Sequence, residues 1–324
     1  MRGSFEVTVS RRRGTKYRFT VRRNITVIRG DSGTGKTTLF DMIADHMRYG
    51  EQSGVSLQCE RPCVALTDID WRAQLGGFQN SIVFIDEGLK DLLSHDFAQA
   101  VRGSSNYFVI ITRADLPSLP YSVDEVYKIK TSGKFHSLVP MYAEREGHRY
   151  SLSAAKPKTD FSVLVAEDSR AGLQFYQARL AGSEVACETA GSNAGILSWL
   201  DEHRDERVFV VADGAAFGAF ADRVLKLQNE RRDTMAVCLP ESFEWLLLAS
   251  GVVRSPKIEA VLADPNGHID GAEFMSWEQF FTKLLREETA GTAFAYSKAE
   301  LAETYTLPQN ADKVMALIAC RNVR

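Results

Sequence analysis

The feature that most constrains this chain is a glycine-rich loop at residues 30–37, between an apolar run at 25–28 and an amphipathic run at 39–44. Gly30, four further residues and then Gly35-Lys36-Thr37 predict a strand, a tight loop and a helix. The backbone N–H groups of such a loop point inward at an anion, and the helix start adds the positive end of its dipole. Lys36 is expected to reach the phosphates, and the Thr37 hydroxyl to hold Mg²⁺.

The predicted phosphate-binding residues are consecutive in the chain. They are Gly30, Asp31, Ser32, Gly33, Thr34, Gly35, Lys36, Thr37 and Thr38.

A second segment, residues 81–87, predicts a buried strand that ends in two acids. An Asp at a strand end is suited to hold Mg²⁺ through water, which gives Asp86 a metal-binding role. The next carboxylate, Glu87, is suited to polarise an attacking water, and it is the candidate catalytic residue together with Lys36.

These two segments resemble the Walker A motif (Gly30–Thr37) and the Walker B motif of P-loop ATPases with an added central strand. That branch contains AAA+, RecA-like and ABC proteins. The resemblance covers roughly residues 1–150 and implies ATP and Mg²⁺ as cofactors. Related ATPases place a sensor residue at the end of the strand between the loop and acid strands. Residues 106–113 predict that strand, so either Thr112 or Arg113 contacts the γ-phosphate or the two residues simply end the strand.

Before the loop, residues 5–10 and 17–22 alternate apolar and polar side chains and predict a β-hairpin. A hairpin that leads into the loop strand resembles the start of ABC-type ATPase domains, but the chain has no Leu-Ser-Gly-Gly motif. The basic turn at 11–16 has two interpretations. It could contact a phosphate backbone, or it could be a solvated turn that protects a sheet edge, which we favour because the chain is slightly acidic.

The remainder of the first half predicts a strand at 63–66, helices at 70–75 and 91–101, and strands at 123–129 and 135–142. Residues 151–160 are the best linker candidate. We therefore expect an ATPase domain over 1–152 and a second domain over 160–324.

The second half predicts regular strand–helix alternation, which is typical of a parallel sheet covered by helices. The predicted strands are 161–167, 184–190, 207–213 and 234–240, and the helices are 170–181, 193–203, 215–230 and 243–250. Three further helices are predicted in the C-terminal tail, beginning with one that Ser276 caps and continuing at 297–304 and 310–319. The predicted fold class is thus α/β in both domains, a P-loop domain with an N-terminal hairpin followed by a parallel-sheet domain with a helical tail.

Each strand of the second domain ends in or beside a carboxylate: Glu167, Glu188, Asp213 and Glu241. Ligand sites of open α/β sheets lie at the carboxyl ends of the strands. Several acids that converge there would repel one another unless a divalent cation neutralised them. The sequence therefore predicts a second Mg²⁺ site, with helix capping as the alternative role for each acid.

The segments around Glu167, Asp213-Gly-Ala-Ala-Phe-Gly218 and Pro240-Glu-Ser-Phe-Glu244 resemble a TOPRIM domain of the kind that OLD-type proteins join to an ATPase. That resemblance covers roughly residues 160–250. It implies nucleic-acid phosphodiesters as substrate, Glu167 as general acid/base, and Asp213 with Glu241 or Glu244 as metal ligands. The chain departs from the motif at Ala215, which stands where the second Asp is expected.

The opening of the second domain also resembles a response-regulator receiver. In that alternative Asp213 is phosphorylated and Ser242 takes the switch position. A convincing Lys at the end of a fifth strand is missing, so the TOPRIM-like interpretation is preferred.

Composition limits the number of domains, the relation to a membrane and the compartment that the sequence predicts. The chain has 324 residues, a net charge of −3 and strand-sized apolar runs, which predicts two full domains and no membrane span. The five cysteines are scattered, which favours a reducing, cytoplasmic location; Cys59 and Cys63 are the only close pair and are expected to be free thiols.

The expected function is a Mg²⁺-dependent ATPase whose nucleotide state controls a nucleic-acid-directed domain, as in phage or bacterial defence nucleases. The alternative is a non-enzymatic, ATP-gated switch whose second domain is a receiver-like or partner-binding module. The expected partners are nucleic acid, a protein or another copy of the chain. A kinase ranks lower, because Glu87 beside Asp86 suits water activation.

Overall fold

The computed structural model describes residues 1–12, 14–67, 70–142 and 161–322. The chain forms two compact units, one of Met1–Met141 with Asp264–Met275 and one of Tyr142–Ala263 with Ser276–Arg324. The predicted linker at 151–160, and with it the predicted boundary, lies outside the described residues.

The first unit contains a mixed nine-stranded sheet. Its strands are β1 (Phe5–Arg11), β2 (Lys16–Val21), β3 (Ile25–Arg29), β4 (Val55–Gln58), β5 (Cys63–Leu66), β6 (Ile82–Ile85), β7 (Tyr107–Ile111), β8 (Val126–Ser132) and β9 (Phe135–Pro140). Their spatial order is β4-β1-β2-β9-β8-β3-β7-β6-β5. The block β8-β3-β7-β6-β5 is parallel, whereas β1 pairs antiparallel with β2 and β4, and β8 with β9.

Strand β7 lies between the loop strand β3 and the acid strand β6, as the sequence predicts for residues 106–113. The hairpin β1–β2 is also confirmed, with Val7 opposite Phe19. Strand β4 was not predicted, because its four residues carry only two large apolar side chains.

Helices α1 (Lys36–Tyr49), α2 (Trp71–Gly77) and α3 (His95–Arg102) belong to this unit. Helix α1 contacts strands at both ends of the sheet, among them β4 and β5. Its buried residues Leu39, Met42 and Ile43 share one core with Phe19 of β2 and Phe84 of β6, whose ring centroids are 6.4 Å apart. The sheet therefore curves around the helix that follows the glycine-rich loop.

The predicted single helix at 91–101 is wrong. A 3₁₀ turn, Lys90–Leu93, precedes α3, and Ser94 separates the two. The Ser94 hydroxyl accepts a hydrogen bond from the Phe97 amide at 3.1 Å, so it caps the second piece instead of continuing the first. Similarly, residues 123–125 form a 3₁₀ turn, and the predicted strand begins at Val126.

The segment Asp264–Met275, which includes the short helix α9 (Pro265–His268), was predicted to be part of the second domain but belongs to the first unit. The Met1 amino group lies 3.0 Å from Asp270 Oδ1, and the Gly271 amide donates to the Met1 carbonyl at 2.9 Å. The Asn24 side-chain amide donates to the Met275 carbonyl at 2.8 Å. We call this segment the strap.

The second unit contains a four-stranded, fully parallel sheet in the order β11-β10-β12-β13. Its strands are β10 (Val163–Ala166), β11 (Ala186–Thr189), β12 (Val208–Val211) and β13 (Met235–Cys238). Its helices are α4 (Ala171–Leu180), α5 (Asn193–Glu202), α6 (Gly218–Glu230), α7 (Phe243–Ala249), α8 (Pro256–Ala263), α10 (Trp277–Thr289) and α11 (Pro308–Asn322). The predicted strand–helix alternation is confirmed.

Two helix predictions need correction. The predicted helix at 215–230 begins at Gly218, because the Gly214 and Ala215 amides donate to the Pro240 and Glu241 carbonyls instead of entering the helix. The predicted helix at 297–304 is absent from the described chain, where only the 3₁₀ turn Glu303–Tyr305 forms.

The reason for the second correction lies in α4. The side-chain amide of Gln174 donates to the Ala299 carbonyl at 2.9 Å, and its oxygen accepts from the Leu301 amide at 2.8 Å. These backbone groups are therefore not available to a helix. The predicted Ser276 cap of α10 is confirmed.

Candidate functional site

The glycine-rich loop joins β3 to α1, with three glycines in left-handed conformations. Gly30, Gly33 and Gly35 have φ angles of 132°, 79° and 93°. Side chains at the first two positions would meet no atom within 4 Å, so these glycines are needed for backbone conformation and not for packing. Asp31, Ser32 and the first helical threonines, Thr37 and Thr38, are exposed. The loop thus leaves its rim open to a ligand.

Lys36 is buried, and its ammonium group points back into the loop. Its Nζ atom donates to the carbonyl oxygens of Gly30 at 2.7 Å and Asp31 at 2.6 Å, and it lies 3.3 Å from Thr34 Oγ1. Burial, together with the charge of Arg113, lowers the pKa of Lys36. An anion in the loop would restore the charge balance of this buried cation.

Asp86 follows β6 directly, and its Oδ1 atom is buried with no hydrogen-bond partner in the part of the chain that the structure describes. Burial raises the pKa of Asp86, and Lys36 acts in the opposite direction. An orphaned carboxylate oxygen is costly, and a hydrated Mg²⁺ would satisfy it. The residues present therefore fit the metal that the sequence predicts, with Asp86 and the Thr37 hydroxyl as its holders.

Arg113, at the end of β7, connects the loop to the acid strand. Its Nη2 atom donates to Ser32 Oγ at 2.6 Å, and its Nε atom lies 3.7 Å from Glu87 Oε1. Thr112 is buried, and its hydroxyl accepts from the Ala114 amide at 3.0 Å. Of the two sensor candidates, only Arg113 therefore faces the loop.

Tyr17 is a contact of the loop that sequence reasoning missed. Its hydroxyl donates to the Gly35 carbonyl at 2.8 Å, and its ring stacks on His136 with centroids 4.6 Å apart. A Cβ atom at Gly35 would lie 2.7 Å from the Tyr17 hydroxyl. The outward-inward alternation of β2 indicates only that Tyr17 is buried, and its contact partner depends on the curvature of the sheet.

In the second unit, Glu167 and Asp213 follow the adjacent strands β10 and β12, and the charge of Glu167 raises the pKa of Asp213. Burial, Glu278 and Asp168 raise the pKa of Glu167 to about 7. Burial, Glu278 and Glu167 raise the pKa of Asp213 well above its ordinary value. The structure therefore brings these two predicted acids together in one half-buried group.

Lys298 supplies a cation to this group, and the sequence analysis did not find it. Its Nζ atom lies 2.6 Å from Glu278 Oε1 and 3.9 Å from Glu244 Oε1. Burial lowers the pKa of Lys298, but the two carboxylates outweigh that effect, and the pKa lies above its ordinary value. Glu244 also accepts from the Tyr296 hydroxyl at 2.8 Å. We call Glu167, Asp213, Glu244, Glu278 and Lys298 the acid–lysine cluster.

The other predicted acids have different surroundings. Glu188 is exposed and accepts a hydrogen bond from the Trp199 indole at 2.8 Å. Glu241 is half-buried, and its carbonyl accepts from the Ala215 amide at 3.1 Å. Within the described ranges no three His, Cys, Asp or Glu side chains are arranged to hold a metal ion. The metal-binding roles of Glu167, Asp213 and Glu241 remain predictions, which the nearby ammonium of Lys298 does not favour.

The features of the receiver alternative are also visible. Asp213 Oδ1 accepts from the Phe243 amide at 3.1 Å, and the fully buried Ser242 caps α7 by accepting from the Trp245 amide. The described sheet of this unit has four strands, without the fifth strand of a receiver. Ser242 is fully buried, whereas Asp213 is half-buried, and the receiver interpretation stays a prediction.

The cysteine and membrane predictions can be compared directly. Cys59 and Cys63 are free thiols, and the hydrogen bond between them lowers the pKa of Cys59 to about 6. In the described part of the chain, no helix has the length and apolar character needed to cross a membrane.

No protein-family model, curated protein or solved structure matches this chain.

Proposed function

We propose that the first unit binds ATP with Mg²⁺ and hydrolyses it. The observation that carries this proposal is the buried, unpartnered Oδ1 atom of Asp86 beside a loop with three left-handed glycines and a buried Lys36. This combination costs free energy in a protein without a ligand, and a metal–phosphate ligand compensates both the acid and the lysine. The strand order β3-β7-β6 supports the same proposal, since it matches the added central strand that the P-loop ATPase resemblance implies.

Each of these residues would have a separate role in ATP binding and hydrolysis. The loop amides and Lys36 bind the phosphates, Thr37 and Asp86 hold the hydrated metal, and Glu87 orients and deprotonates the attacking water. When bound, Mg²⁺ supplies charge neutralisation of the β- and γ-phosphate oxygens. Arg113, which contacts both Ser32 and Glu87, positions the general base relative to the loop.

We further propose that the second unit is TOPRIM-like and acts on nucleic acid under control of the nucleotide state. Its support is that Glu167 and Asp213 follow the carboxyl ends of the paired strands β10 and β12, where the charge of Glu167 raises the pKa of Asp213. The second candidate, a non-enzymatic ATP-gated switch, is favoured by Ala215 and by Lys298, since the acids already have a cation beside them.

The test of the ATPase proposal is turnover by the purified chain, with Glu87→Gln as the diagnostic variant. We expect Glu87→Gln to keep ATP affinity and to lose turnover by about 10²–10⁴-fold, the usual contribution of a general base. Glu51→Gln is the matched control, because Glu51 is an exposed glutamate of the same unit. It lies in the 3₁₀ turn that follows α1, whereas the glycine-rich loop precedes that helix. Turnover that survives in Glu87→Gln, or a wild-type chain that binds no ATP, would refute the proposal.

The second unit is tested separately. Mg²⁺-dependent cleavage of DNA or RNA that disappears in Glu167→Ala would support a nuclease. Cleavage that is equal in the variant would contradict it. ATP binding without turnover and without cleavage would favour the switch.

A further inference from the structure

A second surface of the first unit carries chemistry that the ATP site does not use. It is the outward face of three neighbouring strands, β2, β9 and β8. Lys16 pairs with Phe135, Phe135 with Ser132, and Lys130 with Ser137 across these strands. Directly paired residues point to the same side of a sheet, so these side chains form one continuous face. The buried Tyr17, Phe19 and Ile129 alternate with them and point to the other side.

The face is strongly basic. Its exposed cations are Lys16, Arg18, Lys128, Lys130 and, in the turn between β8 and β9, Lys134. Arg18 is compensated by Glu6 at 2.8 Å, whereas no ion pair involves the four lysines among the described residues. A local excess of four positive charges in a chain of net charge −3 marks this face as an anion-binding surface.

An aromatic side chain lies in the middle of these cations. Phe135 is 54% exposed, which is unusual for a phenylalanine, and Lys134 Nζ lies 5.7 Å from its ring centroid. Beside it is a shallow cavity of about 450 Å³, lined by Lys16, Arg18, Lys130 and Ser137. A shallow cavity lined by cations and by an exposed ring fits a chain of phosphates with accessible bases.

We propose that the face of β2, β9 and β8 binds single-stranded nucleic acid. The lysines contact the phosphates, and Phe135 stacks on one base. A duplex is the poorer ligand, because its bases are stacked on each other and unavailable to Phe135. An acidic peptide would use the charges but not the ring.

The face also connects to the glycine-rich loop. Tyr17 lies on β2 between Lys16 and Arg18, stacks on His136 of β9, and donates to the Gly35 carbonyl. A ligand that shifts β2 against β9 would therefore shift the loop. This coupling rests on the proposed ATP binding, whereas nucleic-acid binding itself does not.

The experiment is fluorescence anisotropy with a labelled oligothymidylate and the full chain, without nucleotide, over a series of salt concentrations. In the double variant Lys16→Ala with Lys130→Ala, the slope of log affinity against log salt should become less negative by about 1.4. Each single-strand phosphate contact contributes about −0.7 to that slope. Phe135→Ala should weaken binding about tenfold and leave the slope unchanged. Lys226→Ala with Lys313→Ala, two exposed lysines of the second unit, is the matched control.

Several results would overturn the inference. These are a slope that is unchanged in the double variant, a duplex that binds as tightly as the single strand, or displacement of the oligonucleotide by polyglutamate at equal charge. Loss of ATP affinity in Lys16→Ala with Lys130→Ala would assign the face to the nucleotide instead. Lys36→Ala separates the two proposals, because it should abolish ATP binding and leave oligonucleotide binding intact.

Discussion

Replacing Glu167 with glutamine should stabilise the second unit at alkaline pH, although Glu167 is a candidate catalytic residue. The Glu167 carboxyl group lies in the acid–lysine cluster, where burial, Glu278 and Asp168 disfavour its charge and only Lys298 and the Asp213 amide favour it. Glutamine has nearly the same shape and can accept the same backbone hydrogen bond. It has no charge to desolvate.

The magnitude follows from the pKa of Glu167, which rises from 4.5 to about 7 in the folded chain. Because the folded-state pKa is raised, the stability that protonation provides is complete below pH 4.5 and is lost as the pH rises through about 7. At 1.36 kcal/mol per pKa unit, and with a discount for the partial exposure of the side chain, the charged form costs about 2 kcal/mol at pH 8. Glu167→Gln should regain that amount at pH 8 and nothing at pH 4.

The assay is urea unfolding followed by tryptophan fluorescence at both pH values. Three of the four tryptophans, Trp199, Trp245 and Trp277, belong to the second unit, so the signal mainly reports its unfolding. Glu188→Gln is the control, since that exposed acid lies on the adjacent strand β11 and keeps its acceptor for the Trp199 indole.

A gain in the urea midpoint for Glu167→Gln that is the same at pH 4 and pH 8 would refute this reasoning, as would a loss at pH 8. Either outcome would mean that the charge of Glu167 is compensated in the folded chain. An equal gain in Glu188→Gln would point to a general effect of removing negative charge.

Three further predictions follow from single contacts. Gly35→Ala should destabilise the first unit by about 2 kcal/mol in urea unfolding, because the position combines a left-handed φ with a close approach to the Tyr17 hydroxyl. The double variant Gly35→Ala with Tyr17→Phe, which lacks that hydroxyl, should recover part of the lost stability. Lys298→Met should lower the melting temperature more at pH 8 than at pH 5, because Glu167 and Asp213, whose pKa values Lys298 lowers, lose this cation at the pH where they carry more charge. Added Mg²⁺ should stabilise this variant more than the wild type in a thermal-shift assay. Arg113→Ala should reduce ATP turnover while the free energy of unfolding, measured in urea, changes by less than about 1 kcal/mol, since its contacts are exposed. A larger loss of stability would assign Arg113 a structural role.

Much of the fold could be predicted because its signals are local. The glycine spacing of the loop, the apolar run before Asp86 and each single strand–helix repeat of the second unit occupy at most about twenty residues, within the reach of periodicity and capping rules. The predictions failed where a distant side chain competes with the local helix for backbone hydrogen bonds. The segment at 297–304 has helical composition, but Gln174 binds its backbone from more than a hundred residues away.

The candidate sites divide in the same way. Residues of the loop and of the acid strand are found by motif, whereas Tyr17, Glu278 and Lys298 reach their sites through tertiary packing. The sequence analysis assigned each acid of the second unit to a metal because the carboxyl ends of parallel strands share one edge. The contact of Lys298, which follows α10, with the same acids could not be predicted, since no pattern near Lys298 in the sequence indicates it.

The strap has a consequence for the synthesis of this protein. The first unit contains Met1–Met141, but its packing is completed by Asp264–Met275, where Gly271 lies so close to Tyr107 and Asn24 that a Cβ atom would meet them at 2.9 and 3.0 Å. A ribosome that has released the first unit must therefore still translate the greater part of the second before the strap exists, a delay on the order of 10 s. During that interval the buried Tyr107 hydroxyl has its Met1 partner but not the cover of the strap. A recombinant fragment that ends near residue 142 would remain permanently in this unfinished state, so the first unit on its own needs the strap as a second fragment or joined to it through a linker.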